Sequence, residues 1–351
     1  MDQTMKAFVA LSPGKAEYQD VPKYEAEKNM VVIKVKRAGI CATDYAIYSG
    51  DCSFVREGTI QYPVRFGHEW SGVVEAVGSE VTKFKPGDKV ISDSGIACGE
   101  CEFCRKGDYM ACRSRKCVGT IKTWDGAFAE YIHIPEYHLY RVPDNVSLDD
   151  AALVEPATIA YDGFANVDMS QVETVAVYGT GAIGMASVWL AKYFGAKTVI
   201  VIGRTDSKLE IAKQIGADVV INNGKTDVVE ELKALTDGKG VDLSIETSGA
   251  EQMISVAIYG TRRYGRISLL SFYEKNVDQL PIDHVVINCL TIRGAAGRYG
   301  YPGKVLEIME KNPMKLTPII THHLPFAECE DAFKNERKYH KEKIKIMIDM
   351  E

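Results

Sequence analysis

One segment of the chain carries the strongest structural signal: Thr174-Val-Ala-Val-Tyr-Gly-Thr-Gly-Ala-Ile-Gly-Met-Ala-Ser-Val-Trp-Leu-Ala-Lys-Tyr193. A β-branched run leads into three closely spaced glycines, and an apolar pattern of helical period follows. The segment predicts a strand over 174–178, a tight turn and a helix over 183–194. In such a turn the first glycine permits the bend, the second lets a pyrophosphate approach, and the third allows the helix to pack on the strand. We therefore expect a dinucleotide site whose residues include Gly179, Gly181, Ile183 and Gly184.

The sequence around this segment alternates strands with helices. Further strands are predicted over 198–202, 219–221, 243–246 and 266–271, and a helix over 207–215. This alternation is typical of an α/β fold in which helices cover a parallel sheet. Residues 5–150 differ, because they contain short strands punctuated by turns. Beyond Gly297 the sequence predicts one more helix, 303–310, and a strand, 343–348.

The end of the second strand of the α/β region indicates which nicotinamide cofactor is preferred. An enzyme that uses NAD usually has Asp or Glu about 20 residues past the glycines, where the carboxylate binds the ribose hydroxyls. Here Gly203 stands at that position and is followed by Arg204 and, further on, Lys208. The arginine offers a charge-assisted partner to a 2′-phosphate, which favours NADP(H). NAD(H) stays possible, because Asp206 is close enough to take the role of the missing acid.

Four of the nine cysteines are crowded into fifteen residues: Cys98, Cys101, Cys104 and Cys112. Two-residue gaps let neighbouring thiolates wrap one ion, and four thiolates leave no open coordination position. The pattern predicts a structural zinc, with an iron–sulfur cluster as the alternative. Cys52, Cys117, Cys289 and Cys329 lack such spacing, and we expect them to be buried apolar residues.

Length and charge narrow the range of functions. A chain of 351 residues suits about two domains, and a net charge of −6 without a basic stripe argues against binding nucleic acid. The charge-free stretch 174–191 reads as a strand, turn and helix rather than a membrane span. The basic run 338–345 reads as a solvated face. The start of the chain lacks the basic and apolar regions of a signal peptide, and reduced cysteines favour the cytoplasm.

Two further motifs, Cys41-x-Thr43-Asp44 and Gly67-His68-Glu69, are weak signals alone and gain weight beside the zinc loop and the glycine turn. With Glu155-Pro156 they make the chain similar to the zinc-dependent medium-chain alcohol dehydrogenases over nearly its whole length. The resemblance is greatest to the branch that contains polyol (sorbitol or iditol) and threonine dehydrogenases. In place of Glu155, simple alcohol dehydrogenases commonly have a cysteine.

This resemblance implies a domain plan and an active site. A GroES-like β-rich catalytic domain would comprise 1–155 and 297–351, and a Rossmann domain with a doubly wound parallel sheet would comprise 156–296. A second, catalytic zinc would be held by Cys41, His68 and Glu69, with Glu155 as a ligand or as the holder of a metal-bound water. Thr43 would be the first proton carrier and Asp44 would support His68.

The sequence departs from the branch at one position, and its substrate stays open. The branch has histidine where this chain has Ala46, so a proton relay would have to end at Glu155 or in solvent. The expected activity is hydride transfer between nicotinamide and a secondary alcohol, such as a polyol, sugar or cyclitol. An L-threonine 3-dehydrogenase and a non-catalytic member of the family are the alternatives. The resemblance places Arg298 toward the substrate hydroxyls, with a surface position as the alternative, and the expected assembly is a homotetramer.

Overall fold

The structure is a computed structural model that describes residues 4–339 and 341–350. It divides into two compact units. The first comprises residues 1–155, 302–311 and 320–351, and the second comprises 156–301 and 312–319. Within the described residues, no helix is both long enough and apolar enough to cross a membrane.

Eighteen strands are present in the described residues: β1 (Thr4–Ser12), β2 (Lys15–Pro22), β3 (Met30–Ile40), β4 (Val64–Arg65), β5 (Glu69–Val77), β6 (Lys89–Ser92), β7 (Gly95–Ile96), β8 (Lys116–Cys117), β9 (Tyr131–Pro135), β10 (Leu139–Arg141), β11 (Thr174–Tyr178), β12 (Thr198–Gly203), β13 (Val219–Asn222), β14 (Val241–Glu246), β15 (Thr261–Leu269), β16 (Thr291–Gly294), β17 (Ile320–Pro325) and β18 (Lys345–Asp349).

The described residues also form thirteen α-helices: α1 (Ala42–Ser49), α2 (Ser53–Arg56), α3 (Glu102–Arg105), α4 (Leu148–Ala152), α5 (Val154–Phe164), α6 (Ala182–Tyr193), α7 (Asp206–Gln214), α8 (Val228–Leu235), α9 (Glu251–Gly260), α10 (Ile282–Ile287), α11 (Tyr301–Lys311), α12 (Cys329–Lys334) and α13 (Glu336–Tyr339). Five short 3₁₀ helices lie at 109–111, 136–138, 169–171, 317–319 and 326–328.

The first unit is built on a seven-stranded sheet in which strands from both ends of the chain are neighbours. Its order is β10-β6-β5-β3-β18-β17, and β9 also pairs with β3. The tail strand β18 runs antiparallel to β3, with Met347 opposite Gly39, and β5 pairs with β3 on its other side, with Glu69 also opposite Gly39. Residues far apart in sequence therefore meet around the end of β3. A core of aliphatic and aromatic side chains, including Phe8, Phe66 and Phe128, packs this unit.

The second unit is a six-stranded sheet whose strands are all parallel, in the order β13-β12-β11-β14-β15-β16. The strands of its centre are almost wholly buried and rich in Val and Ile, as expected for strands covered by helices on both faces. The chain moves outward from β11 to β13 and then crosses to β14 on the other side of β11. This reversal makes a crevice at the carboxyl ends of β11 and β14, which is where open α/β sheets bind ligands.

The predicted fold class, a GroES-like β-rich domain with a Rossmann sheet, is confirmed, and most of the predicted strands are present. Two smaller predictions were wrong. The run 338–345 is not wholly a solvated face, because Lys345 is buried in β18; His340 lies outside the described residues. Cys289 is exposed rather than buried, whereas Cys52 and Cys329 are buried as expected.

Candidate metal centres and cofactor site

Cys41 is held at the start of α1 by the side chain of Asp44. One carboxylate oxygen of Asp44 accepts a hydrogen bond from the Cys41 amide at 2.9 Å, which closes the first turn of the helix. The other oxygen accepts from the Gly67 amide at 3.3 Å. Because Asp44 is fully buried, this one carboxylate fixes the two segments that carry Cys41 and His68 relative to each other. Thr43 lies half-buried on the same turn.

Glycine is required next to His68. Gly67 has φ 95°, a left-handed conformation that L side chains rarely adopt, and a Cβ there would come within 2.9 Å of the Phe128 ring. The turn delivers His68 and then Glu69 at the start of β5. The Nδ1 atom of His68 is buried, lies 3.3 Å from the Asp44 carboxylate and makes no regular hydrogen bond. With Nδ1 directed at a carboxylate, the other ring nitrogen is the one suited to a metal.

The carboxylate of Glu69 reaches across β3 to a lysine on β18. Lys345 donates to Glu69 and also to the Ile40 carbonyl, the latter at 3.1 Å. Both side chains of this ion pair are at most 3% exposed. Gly39 makes the contact possible, since a Cβ at that position would lie 2.5 Å from the Glu69 carboxylate. One oxygen of Glu69 is thus held by Lys345, which leaves the other for a second cation.

Cys41, His68 and Glu69 form one donor cluster, in which their ligand atoms all lie within 4.8 Å of one another. Burial lowers the pKa of His68, but the carboxylate of Asp44 and the side chain of Cys41 more than offset this and raise its pKa well above the ordinary value. The cluster therefore favours positive charge at its centre. A thiolate, an imidazole and a carboxylate are the donor types that zinc takes in proteins, so the residues present fit this metal.

Glu155 is not among the three clustered donors, but it lies close enough to interact with them. It is in the first turn of α5, where the missing N–H of the following Pro156 does not interrupt the helix. Burial raises the pKa of Glu155 to about 7, the charge of His68 opposes this, and the Glu69 carboxylate adds to it. Glu155 can consequently hold or release a proton near neutral pH.

The four cysteines of the loop converge on one point. The Sγ atoms of Cys101 and Cys104 are 3.4 Å apart, those of Cys98 and Cys112 are 3.6 Å apart, and those of Cys98 and Cys104 are 3.8 Å apart. A Zn–S bond of about 2.3 Å in a tetrahedron places the sulfurs about 3.8 Å from one another. The spacing fits a single ion and is too tight for a polynuclear iron–sulfur cluster.

The zinc loop is anchored to the rest of the first unit by two residues of the 136–138 turn. The amide of Ala97 donates to the Nε2 atom of His138 at 2.8 Å, and the Tyr137 hydroxyl donates to the Ala97 carbonyl at 3.2 Å.

Burial raises the pKa of Cys104 to about 12, and the neighbouring Cys101 adds to this. Four adjacent thiolates therefore need a cation to remain ionised together.

The glycine turn has the geometry that a pyrophosphate requires. Gly179 has φ 114° and packs against the segment after β14, where an added Cβ would lie 2.7 Å from Thr247 Oγ1. A Cβ on Gly184 would come within 2.1 Å of the Gly179 carbonyl, so only glycine allows α6 to approach β11. Gly181 is exposed, and space for a Cβ is open there. It caps α6, whose first amide groups are available to a ligand.

At the end of β12, a side chain in place of Gly203 would require the side chain of Thr180 to move. A Cβ on Gly203 would lie 2.5 Å from Thr180 Cγ2 and 3.3 Å from Leu209. Asp206, the substitute acid, is already engaged by Lys225 at 2.8 Å and by Asn222 at 2.7 Å. Arg204 is exposed beside them, and Lys208 is half-buried in the first turn of α7.

Comparison with known proteins assigns the family. A model of the alcohol dehydrogenase GroES-like domain matches residues 27–144, and a model of zinc-binding dehydrogenases matches residues 182–311. Sorbitol dehydrogenase of Bacillus subtilis is 31% identical over 99% of this chain and 97% of its own length. The chain belongs to the zinc-dependent medium-chain alcohol dehydrogenase family.

Other members extend the comparison. L-threonine 3-dehydrogenase of Bacillus subtilis is 37% identical over 90% of each chain. A solved dehydrogenase structure from Sinorhizobium meliloti 1021, which holds NADP, is 25% identical and covers 99% of both chains with a TM-score of 0.86. The protein is accordingly an oxidoreductase of the zinc-dependent alcohol dehydrogenase type, and the predicted family is confirmed.

Two residues near the donor cluster were not found from the sequence. Lys345 was assigned to a basic surface run, and Cys117 lacked metal spacing. Burial raises the pKa of Cys117, which lies close enough to His68 and Glu155 to feel their charges. Neither residue has a local sequence signal, because only the fold brings it to the cluster. Arg298, expected toward the substrate hydroxyls or on the surface, is half-exposed, with Nε 3.4 Å from the buried carboxylate of Asp162.

Proposed function

We propose that this protein is an NADP(H)-preferring dehydrogenase of a polyhydroxy secondary alcohol, such as a polyol, sugar or cyclitol. The observation that carries the proposal is the donor set of the first unit: Cys41, His68 and Glu69, with Glu155 close by. Simple alcohol dehydrogenases commonly have a cysteine in place of Glu155. The relatives named sorbitol dehydrogenase and L-threonine 3-dehydrogenase support the same branch.

In this proposal each side chain around the cluster has a separate role in the reaction. A bound zinc supplies Lewis-acid chemistry toward the substrate oxygen. Cys41, His68 and Glu69 hold it, Asp44 orients His68, and Lys345 keeps Glu69 in place. Thr43 passes the substrate proton onward, and Glu155 accepts it, for which a pKa of about 7 is suitable. A nicotinamide cofactor, which the glycine turn of the second unit would hold, would supply the hydride chemistry.

The preference for NADP(H) is supported by three features of the second unit. Gly203 carries no acidic group, Asp206 is ion-paired with Lys225, and the exposed Arg204 can meet a 2′-phosphate. The solved relative that holds NADP is consistent with this. Arg204→Asp should lower kcat/KM for NADP and raise it for NAD. A wild type that already turns over NAD much faster than NADP would contradict the preference.

Threonine oxidation is the second candidate, supported by the 37% identity to an L-threonine 3-dehydrogenase. An initial-rate screen separates the two: purified protein, both cofactors, and a panel of polyols, sugars, cyclitols and L-threonine, followed at the nicotinamide absorbance. Turnover of a polyol supports the proposal, and turnover of L-threonine alone selects the second candidate. A zinc-loaded protein that oxidises nothing in the panel would favour a non-catalytic role, which the complete donor set argues against.

We further propose a homo-oligomer, with the homotetramer that the family resemblance implies. Support comes from α10, which shortly precedes the edge strand β16 and exposes Ile282, Val286 and Ile287 to between 54% and 69%. Apolar side chains exposed beside an unpaired strand edge suit a second copy of the chain. Four clustered thiolates need a reducing compartment, for which the cytoplasm is the proposed location.

A further inference from the structure

Glu246 is a buried carboxylate to which the mechanism above gives no role. It is the last residue of β14 and is fully buried. Its oxygens accept hydrogen bonds from the Ser248 amide at 2.8 Å, the Ser248 hydroxyl at 2.5 Å and the Tyr273 hydroxyl at 2.7 Å, and the Gly249 amide lies at 3.4 Å. All four donors are neutral. A buried carboxylate requires such donors, so it fixes the segments that supply them.

The segment 247–249, which Glu246 holds, forms a wall of the glycine turn. Thr247 Oγ1 donates to the Tyr178 carbonyl at 2.8 Å and would lie within 2.8 Å of a Cβ on either Gly179 or Gly184. The Ser248 amide is 3.1 Å from the same built position on Gly179. A shift of this segment by a few tenths of an ångström would therefore move the surface on which the pyrophosphate rests.

Glu246 also joins the loops that follow two adjacent strands. Tyr273 belongs to the segment after β15, and a Cβ on Gly249 would lie 2.9 Å from the Phe272 carbonyl. Burial raises the pKa of Tyr273, and the Glu246 carboxylate adds to this, so the phenol stays a donor at any working pH. Both loops leave the carboxyl edge of the sheet, at and beside the crevice between β11 and β14.

The position of these loops assigns them to one half of the cofactor. A doubly wound sheet consists of two mononucleotide-binding halves. The half made of β11, β12 and β13 carries the glycine turn and the Gly203–Arg204 pair, which faces the adenosine ribose. The half made of β14, β15 and β16 is left for the nicotinamide mononucleotide.

We propose that Glu246 is a positioning residue for the nicotinamide half of the cofactor, acting through the segment 247–249 and through Tyr273. This inference rests on the proposed function, because it presumes that the second unit binds NADP(H) or NAD(H). Glu246→Gln keeps the size of the side chain but turns an amide donor toward groups that are themselves donors. The segment should then lose its fixed position beside the glycine turn, while Gly203 and Arg204 at the end of β12 are unaffected.

The test compares the whole cofactor with its adenine fragment by titration calorimetry. For Glu246→Gln we expect the Kd of NADPH to rise about tenfold, which is about 1.4 kcal/mol. The Kd of adenosine 2′-monophosphate, which has no 5′-phosphate to rest on the glycine turn, should stay within twofold of the wild type. Should the wild type prefer NADH, the pair is NADH and adenosine. Tyr273→Phe removes only one donor. It should likewise weaken binding of the whole cofactor and not of the fragment, but by less than Glu246→Gln does. It also serves as the test if Glu246→Gln does not fold.

The matched control is Asp242→Asn, at the opposite end of the same strand. Asp242 also accepts from several groups, including the amides of Glu173 and Thr174 at 2.9 and 2.7 Å, but far from the carboxyl edge of the sheet. It should lower Tm without changing either Kd. Equal weakening of cofactor and fragment in Glu246→Gln, or no weakening of the cofactor, would overturn the inference. A wild type that binds neither dinucleotide would instead refute the proposed function.

Discussion

The buried carboxylate of Glu69, close to Cys41, is paired with a positive charge inside the protein, because the Lys345 ammonium contacts it. The two residues are 276 positions apart, and their contact depends on Gly39 lying between them on β3. A lysine in this position holds the carboxylate in place when no metal is bound. It also competes with a metal for the same charge.

Replacing Lys345 should therefore separate stability from metal binding. Lys345→Met leaves Glu69 buried and unpaired, so the metal-free protein should lose about 3–5 kcal/mol of unfolding free energy. Zinc should then raise Tm by more in the variant than in the wild type, because the metal alone compensates Glu69. Thermal unfolding of metal-free and zinc-loaded protein measures both effects. Arg37→Met, which removes ion pairs with Asp149 and Asp349 in the same unit, is the control; an equal zinc-induced shift in all three proteins would contradict the role given to Lys345.

His133 predicts a component of acid sensitivity. Burial between the rings of Tyr24 and Trp124 lowers its pKa to about 4, below the value of about 6.5 expected in the unfolded chain. Between these values the unfolded state binds more protons, so stability is lost as pH falls below 6.5. The free energy of unfolding, measured in urea, should fall between pH 7 and pH 5 by about 1–2 kcal/mol less in His133→Phe than in the wild type. The exposed His323→Gln is the control, and parallel curves for wild type and His133→Phe would refute the assignment.

Short sequence motifs predicted the candidate metal ligands, whereas the contacts that hold these ligands in place are visible only in the folded structure. Cys41, His68 and Glu69 stand in short motifs with recognisable chemistry, and the structure brings them together. Nothing near Lys345 or Cys117 in sequence indicates a site, since their positions follow from the pairing of β18 with β3 and of β8 with β7. Gly203 could be interpreted from its position in the sequence alone, but its close approach to the Thr180 side chain could not.

For the helices and strands, the presence of an element was predicted better than the residues at which it begins and ends. The strand over 174–178 was predicted with the observed bounds. β15 begins at Thr261 rather than at Arg266, because its first residues continue from α9 before the regular ladder with β14 starts at Arg266. A sequence pattern detects only the part of β15 that pairs regularly with β14, because only there do the side chains alternate between the two faces of the sheet. The short strands β7 and β8 of the zinc loop carry no period long enough to detect.

The zinc loop is an element that the metal should hold together. Its helix α3 has only four residues, and its core consists of the cysteines, Ala97 and Tyr109. Cys101→Ser should remove one zinc per chain and lower Tm, because three thiolates bind the ion less tightly and the loop has little other packing. Metal analysis by mass spectrometry and calorimetry would measure this. Cys289→Ser, at an exposed cysteine, should change neither; full zinc content in Cys101→Ser would contradict the assignment.

For the whole molecule, the proposed homo-oligomer would form through the edge strand β16 and helix α10. Val286 and Ile287 are 68% and 69% exposed, an unusual degree for adjacent apolar residues. The double variant Val286→Glu with Ile287→Glu should place like charges at this edge and lower the molar mass in light scattering by a factor of at least two. Leu235→Glu, an exposed residue of α8, should leave the mass unchanged. An unchanged mass in the double variant would show that this edge is not an interface.

In the proposed enzyme, Cys41, His68 and Glu69 hold the zinc used in alcohol oxidation, which is distinct from the zinc of the four-cysteine loop. The most direct measurement compares zinc content and polyol-dependent NADP reduction in the wild type and in Cys41→Ser. We expect two zinc ions per chain and turnover in the wild type, and one zinc ion with no measurable turnover in the variant. A Cys41→Ser protein that keeps both zinc ions and the wild-type rate would contradict it.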